Sequence, residues 1–544
     1  MGSTPEERAT RHHRERHQAI AVVVVHGIGN QQPMDTVSAL VANVFGKKSD
    51  LTPPARVERR LDRDAEYLDL HRPVLIESRG WPRTDFFELY WQPTFGTGET
   101  GAVLRWMVRL LLTNARGSQL RRVVWTVRAI IALAALVVAA IAAACWLLLD
   151  PENPYVRWVL TAVPVALALG ALRAVAKKMA SSVLTTSVAD AQRWFNPAIA
   201  DYVQRDKVRR DARDLLLTLH RHQDRNEEPL YDRIIIVAHS LGSVIAYDAI
   251  RLVFDELRQP REDGHGGGSG ELADRQPKAW NFLTAVPGKQ DPPRPLPAGR
   301  DYHAVQTELQ KEQLRMGVPW RVSDFITLGS PLTHAQDLLA TKRESFESRK
   351  EEQELHACPP LGEQQNRESV WSRAGRPVQA AAGADGSGPV AFYRTEFDGP
   401  LIAHEASPFA TTRWTNLYFP LTRWLGGDPV GGPVAPVFGR GVVDIPVEIS
   451  APRKSRDRVL RTPVAAHTRY WRRDSPGHEA PTKDSVAVLR HAIGLRWADD
   501  DEDVPRPPVG RDASAARRMS LKRRSRSRLK AAGRRRALQR KSAD

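Results

Sequence analysis

Hydrophobic positions along the chain fall into short, dense runs separated by long polar stretches. Ala19 to Val25 is nearly continuous in Val and ends at His26-Gly27. Such a run reads as a strand covered on both faces, because a half-exposed strand alternates apolar and polar residues. Phe86 to Trp91, bounded by Pro82 and Pro93, reads as a second strand. Arg233 to Ala238, Phe325 to Leu328 and Trp414 to Phe419 read as three more, the last being the final clear one. Between them, Asp206 to His222 reads as a charged helix, Leu241 to Leu257 as the helix after the third strand, and Asp484 to Leu495 as a closing helix. Strands alternating with helices predict an α/β fold with a mostly parallel sheet and flanking helices. There is no internal repeat.

One run is of a different kind. Ala129 to Leu149 has 21 residues without a charge, long enough to cross a hydrocarbon layer of about 30 Å. Trp158 to Leu172 is shorter, contains Pro164 and Gly170, and reaches span length only by including Arg173. Strands precede and follow these runs. If they share one sheet, both must lie on one side of a bilayer, which two crossings allow and one does not. Asp150 to Arg157 holds two prolines and suits the turn of a hairpin. Arg121, Arg122 and Arg128 flank the hairpin on one side and Arg173, Lys177 and Lys178 on the other, whereas the turn carries Arg157 alone. That asymmetry predicts a multi-pass cell-membrane protein with two spans and its main domain in the cytoplasm. The competing reading of the longer run is a buried core helix.

The expected organisation follows. Residues 1–18 form a disordered N-terminus, 19–120 the first part of an α/β domain, and 121–180 the transmembrane hairpin. Residues 181–497 form the second part, with surface insertions at about 258–317 and 340–390. Residues 498–544 form a disordered tail. No cleavable export signal is evident. The formal charge of +17 changes this picture little. From Arg511 onward, 14 Lys and Arg face only Asp512 and Asp544, so most of the excess sits in the tail. The tail fits anionic lipid or nonspecific nucleic acid as a partner, or a solvated segment with none. The two cysteines, Cys145 and Cys358, exclude a cysteine-based zinc site and predict no structural disulfide.

The strongest chemical signal is Ile234-Ile235-Ile236-Val237-Ala238-His239-Ser240-Leu241-Gly242-Ser243. A buried strand turns sharply into a helix with Ser at the apex, the pattern of a nucleophile elbow, with Ala238 in place of the usual first Gly. Strand and helix nearly collide there, so small residues are needed two before and two after the Ser. The turn aims the Leu241 N–H at a developing oxyanion. A Ser that only caps the helix is the plainer alternative. Val25-His26-Gly27-Ile28-Gly29-Asn30 follows the first strand and can supply a second N–H donor, at Ile28. Alone it would be an ordinary glycine turn.

A nucleophilic Ser needs a base, and the base needs an orienting carboxylate, in the chain order Ser, acid, His for this elbow. Asp428 follows the Trp414–Phe419 strand and is favoured as the acid. Asp324, at the start of a strand and so at the wrong edge of a parallel sheet, and Asp444 are its rivals. His467 precedes the closing helix and is favoured as the base. His334 and His404 break the chain order, His491 lies within the helix, and His478 is the closest competitor. No metal or organic cofactor is required.

Together, Val-His-Gly-Ile-Gly-Asn at 25–30, Ala-His-Ser-Leu-Gly-Ser at 238–243, Phe-Ile-Thr-Leu-Gly-Ser-Pro-Leu at 325–332, Trp-Thr-Asn-Leu-Tyr at 414–418, Asp-Pro-Val at 428–430 and His-Thr-Arg-Tyr-Trp at 467–471 resemble lipase-like α/β-hydrolases, bacterial membrane-associated members above all. The resemblance covers 19–92 and 181–497 in patches. It implies an α/β-hydrolase fold, a Ser240–Asp428–His467 triad and hydrolysis of an acyl or lipid ester. Two other expectations compete: an inactive hydrolase fold serving as a membrane scaffold, and a lipid- or nucleic-acid-binding membrane protein acting through its basic tail.

Overall fold

The computed structural model describes residues 19–27, 32–45, 56–59, 74–77, 82–91, 194, 199–224, 228–258, 299–315, 317–338, 343–360, 392–394, 401–421, 427–449, 465–472 and 483–494, with single positions between 125 and 143. The expected termini 1–18 and 498–544 therefore lie outside the described residues, as does nearly all of the hairpin expected at 121–180. Among the described residues no helix is long and apolar enough to cross a membrane.

Eight strands form one sheet. They are β1 (Ile20–Val25), β2 (Arg56–Arg59), β3 (Val74–Glu77), β4 (Thr84–Leu89), β5 (Arg233–His239), β6 (Val322–Leu328), β9 (Arg413–Tyr418) and β10 (Val443–Pro446). The strands β7 (Phe392–Arg394) and β8 (Leu401–Ala403) pair separately. The order across the main sheet is β10-β9-β6-β5-β1-β4-β3-β2. The six strands from β10 to β4 run parallel; β3 is antiparallel to β4, and β2, antiparallel to β3, returns to the direction of the six. This is the α/β architecture with a mostly parallel sheet that the strand pattern predicts.

Both faces of the sheet are covered, which explains why β1 has no polar alternation. Ala21, Val23 and Val25 pack against α2 (Ile199–Arg221) and α3 (Leu241–Leu257) on one face. Ile20, Val22 and Val24 pack with α1 (Asp35–Val44) and α5 (Ser485–Ile493) on the other. Each such Val or Ile contributes about 1.5–3 kcal/mol by leaving water. Helix α5 begins where the Asp484 carboxylate accepts the Ala487 N–H and ends at Gly494 in the left-handed conformation, a stop that glycine reaches without Cβ strain.

Three sequence expectations need correction. The stretch 258–317 is not wholly a surface insertion, because α4 (Arg300–Arg315) buries Tyr302 and Leu309. Buried Gln306, Gln310 and Gln313 on the same helix break its apolar pattern; the Gln306 side-chain amide donates from Nε2 to the carbonyls of Phe409 and Thr412. The stretch 340–390 is a packed part of the core at its start, where Phe346, Leu355 and Cys358 are buried. Trp414 to Phe419 is not the last strand, since β10 pairs with β9. Its short Val-Asp-Ile-Pro sequence suits a sheet edge and carries no strong pattern.

At the edge where the parallel strands begin, Asp324 takes Arg233 at 2.8 Å and Arg413 at 2.7 Å. Ser323 donates to the same carboxylate at 2.6 Å. Burial alone would raise the Asp324 carboxyl, but the two guanidinium groups hold it well below the usual range. Removing one member of a buried ion cluster strands the others in low dielectric. Asp324→Ala is therefore expected to lower unfolding free energy by about 3–5 kcal/mol, read from urea denaturation.

Candidate active site

The opposite edge of the sheet gathers the residues singled out by sequence. Val25 is level with Ala238, and His239 with Leu328, so the chain leaves β1, β5 and β6 side by side. Ser240 stands between β5 and α3 with φ 51° and ψ −131°, a conformation costing a non-glycine residue on the order of 1–3 kcal/mol. Hydrogen bonds on both sides hold it there. Its N–H donates to the Leu328 carbonyl at 3.0 Å. Its carbonyl accepts from the Ser243 N–H at 2.9 Å and the Ser243 hydroxyl at 2.6 Å. Ser330 Oγ lies 2.6 Å from that same hydroxyl, and with the Ser243 proton committed, the Ser330 hydroxyl is the donor.

Space explains the small neighbours. A Cβ on Gly242 would come within 2.4 Å of the His26 carbonyl oxygen and 2.5 Å of that of Val25, so the first turn of α3 rides directly on the end of β1. Ala238 is fully buried in the strand. Gly27 faces the elbow, where a Cβ would fall 2.8 Å from Ser240 Cβ.

The structure brings Ser240, His467 and Asp428 into one hydrogen-bonded chain. His467 sits on the short 3-10 turn Ala465–Thr468. Its Nδ1 lies 2.9 and 3.0 Å from the two Asp428 oxygens, and its Nε2 lies 2.8 Å from Ser240 Oγ. A carboxylate partner makes Nδ1 the donor, which leaves Nε2 free to accept the Ser240 proton. Asp428 is fully buried and also accepts from the Val430 N–H at 2.9 Å and the Tyr470 hydroxyl at 2.7 Å. Burial pushes its carboxyl up, but His467, the Tyr470 hydroxyl and the Gly431 N–H outweigh that and hold it down at about 2.

The remaining predicted residues have distinct places. His239 donates Nε2–H to the His467 carbonyl at 2.7 Å. Burial pushes its imidazole down to about 3, so it is neutral. His26 is likewise neutral, lowered by burial to about 4. Its Nδ1–H donates to the Gly27 carbonyl at 2.7 Å, and it stacks on Trp91 at 5.3 Å. Leu241 is the first residue of α3, where N–H groups have no intrahelical acceptor. Ile28 lies outside the described residues.

The rival acids and bases are occupied elsewhere. Asp324 is in the ion cluster at the far edge. Asp444 accepts the Val434 and Ala435 N–H groups and the Asn416 side chain, bracing the loop that carries Asp428. His334 lies 3.3 Å from the Pro429 carbonyl, also behind that loop. His404 receives the Ala406 N–H, His491 lies on α5, and His478 lies outside the described residues. Two contributors escaped the residue-by-residue reading. Tyr470 carries the hydroxyl on Asp428 and receives the Phe419 N–H at 3.1 Å. Gly329, at φ +55°, leaves the slot for the acid: a Cβ there would lie 2.6 Å from Asp428 Oδ2 and 3.0 Å from His467 Nδ1. Both stood in the motif blocks, yet neither residue type announces such a role. A cleft of about 650 Å³ lined by Arg209, Asp248, Arg251 and Arg258 contains none of the three chain members. Among the described residues no cluster of His, Cys, Asp or Glu could hold a metal ion.

No family model matches this chain, and neither a curated protein nor a solved structure matches it.

Two outcomes follow from this geometry. Tyr470→Phe leaves the Phe419 N–H and one Asp428 oxygen short of a partner and should cost about 1–3 kcal/mol, measured by chemical denaturation. The depressed Asp428 carboxyl stabilises the fold above its unfolded value near 3.8. That contribution, about 2 kcal/mol, is lost as pH falls from about 4 to about 2. Urea midpoints across that range should be flatter with pH in Asp428→Asn than in the wild type.

Proposed function

We propose that this chain is a membrane-anchored serine hydrolase of the α/β-hydrolase fold that cleaves carboxylic esters, lipid or acyl, through an acyl-enzyme. The observation that carries the reading is the chain Ser240–His467–Asp428, with bonds of 2.8 and 2.9 Å and its Ser on a strained strand-to-helix turn. A helix cap needs no such chain, and Ser240 makes no side-chain cap bond to α3. The motif resemblance to lipase-like hydrolases and the uncharged run Ala129 to Leu149 support the same assignment.

In the proposed reaction Ser240 Oγ attacks the ester carbonyl carbon as its proton passes to His467 Nε2. Asp428 stabilises the resulting imidazolium and keeps Nδ1 protonated. The carbonyl oxygen gathers negative charge facing the Leu241 N–H, with Ile28 as the second donor expected from the loop after Gly27. Collapse breaks the ester C–O bond, and the leaving alkoxide takes the proton from Nε2. Water then attacks the acyl-serine, its proton going to His467, and Ser240 departs reprotonated with release of the acid. No cofactor enters this scheme. The membrane bilayer holds the chain through the hairpin expected at 121–180, and the basic tail is left to anionic lipid or nonspecific nucleic acid.

A fluorophosphonate probe should label detergent-solubilised wild type and leave Ser240→Ala unlabelled. Hydrolysis of a simple acyl ester should fall by about 10³-fold or more in Ser240→Ala and His467→Ala. A wild type that neither labels nor hydrolyses would end this reading.

A further inference from the structure

Five large apolar side chains are exposed among the described residues, and four of them belong to one part of the chain. Trp125 (64%), Leu136 (66%), Tyr202 (55%) and Val203 (62%) all lie between the end of β4 and the first turns of α2. Where this part of the chain leaves and rejoins the domain is well defined. It departs at Trp91, whose backbone N–H and indole N–H both meet His26, 3.4 Å from Nε2 and 2.9 Å from the carbonyl oxygen. That point is the catalytic edge, beside Gly27. It rejoins by Trp194, buried in the core just before α2 and held through its carbonyl by Arg205.

Helix α2 runs parallel to α3. Arg209 pairs with Asp248, and Arg213 with Glu256. Counting back along both helices from these pairs sets Tyr202 level with the first turn of α3, the turn that follows Ser240. The other end of α2 confirms the direction: His220 receives the Arg321 N–H at 3.2 Å, at the edge where β6 begins. Both ends of the segment therefore flank the elbow, and Tyr202 and Val203 stand on the rim of the same edge.

The first three turns of α2 add charge to this rim. Of the five Lys or Arg from Tyr202 to Arg213, Arg209, Arg210 and Arg213 pair with Asp248, Asp206 and Glu256, and the charge nearest the rim comes from Arg205, which also donates to the Trp194 carbonyl, and Lys207. The Arg205 guanidinium lies over the Tyr202 ring at 6.0 Å. An exposed aromatic beside basic side chains suits the boundary between hydrocarbon and headgroups. The same segment carries the 21-residue uncharged run, flanked by Arg121, Arg122, Arg173, Lys177 and Lys178.

We infer that the rim formed by Tyr202 and Val203 is a bilayer-docking surface that turns the Ser240 edge of the sheet toward an anionic lipid surface. This rests on the hydrolase reading for its functional meaning: the ester substrate would be one presented at the membrane interface and not one dissolved in water.

The first arm does not depend on catalysis. On a Cys145→Ala background, with buried Cys358 retained, a cysteine-reactive fluorophore is placed by Tyr202→Cys or, as a control, by Lys311→Cys near the strand-start end of α4. The full chain is reconstituted in vesicles of phosphatidylcholine and phosphatidylglycerol, with and without headgroup-proximal spin-labelled lipid. Quenching at 202 should exceed that at 311 at least about threefold; equal quenching at the two positions overturns the docking surface. The second arm uses Tyr202→Asp/Val203→Asp. Its hydrolysis of a vesicle-embedded long-chain ester should fall about tenfold, with fluorophosphonate labelling of Ser240 and hydrolysis of a short water-soluble ester unchanged. Equal rates on vesicle-borne ester for variant and wild type overturn the substrate inference. A wild type inactive on both esters defeats the hydrolase reading and leaves the quenching result to stand or fall alone.

Discussion

The hydrogen bonds that grip the Ser240 peptide are the constraint on which the rest of the site depends. The Leu328 carbonyl holds its N–H from the neighbouring strand, and Ser243 holds its carbonyl twice over from the helix. Held this way, the backbone stays in a conformation that an isolated Ser would abandon. The consequence extends to the next residue back. His239 donates to the His467 carbonyl, and Ser240 Oγ meets the His467 ring. Two consecutive residues thus grasp the imidazole residue by its backbone and by its side chain. Ser240 and the His467 ring are placed by one stretch of strand, and only Asp428 arrives independently.

Asp428 has its own support. Asn416 on β9 donates to the Gly432 carbonyl and to Asp444, while Thr327 on β6 donates to Asn416. Asp444 in turn holds the Val434 and Ala435 N–H groups. A polar relay running across three strands therefore steadies the loop 427–435 from behind. Every donor in it has an acceptor, which is the condition for a buried polar network to add rigidity and not cost.

Much of this was legible in the chain. The Val run at 19–25 and the Ile run at 234–236 could only be strands covered on both faces, and parallel packing follows from that. The approach of α3 to β1 shows as Gly242, and the order Ser, acid, His singled out Asp428 and His467. What escaped was whatever lacked a periodic apolar signature. Helix α4 buries glutamines, β10 is four residues long and ends in Pro446, and the packed start of the 340–390 stretch relies on isolated Phe346, Leu355 and Cys358. Tyr470 and Gly329 escaped for another reason. A hydroxyl three residues beyond a His, or a glycine at a strand end, acquires meaning only when a distant aspartate arrives beside it. Asp444 shows the converse: a carboxylate near the site in sequence whose partners are two backbone amides and the Asn416 side chain.

The insertion of β5 between β1 and β6 also orders events during synthesis. Strands β1 and β4 emerge from the ribosome well before their central neighbour, because the long segment from Trp91 to α2 separates them. Until β5 is made, β1 lacks its neighbour on that side, and the most apolar stretch of the chain is made in that interval. Of the three site residues His467 arrives last, more than two hundred residues after Ser240. A nascent chain therefore commits its most apolar segment to an environment before Ser240, Asp428 and His467 can meet.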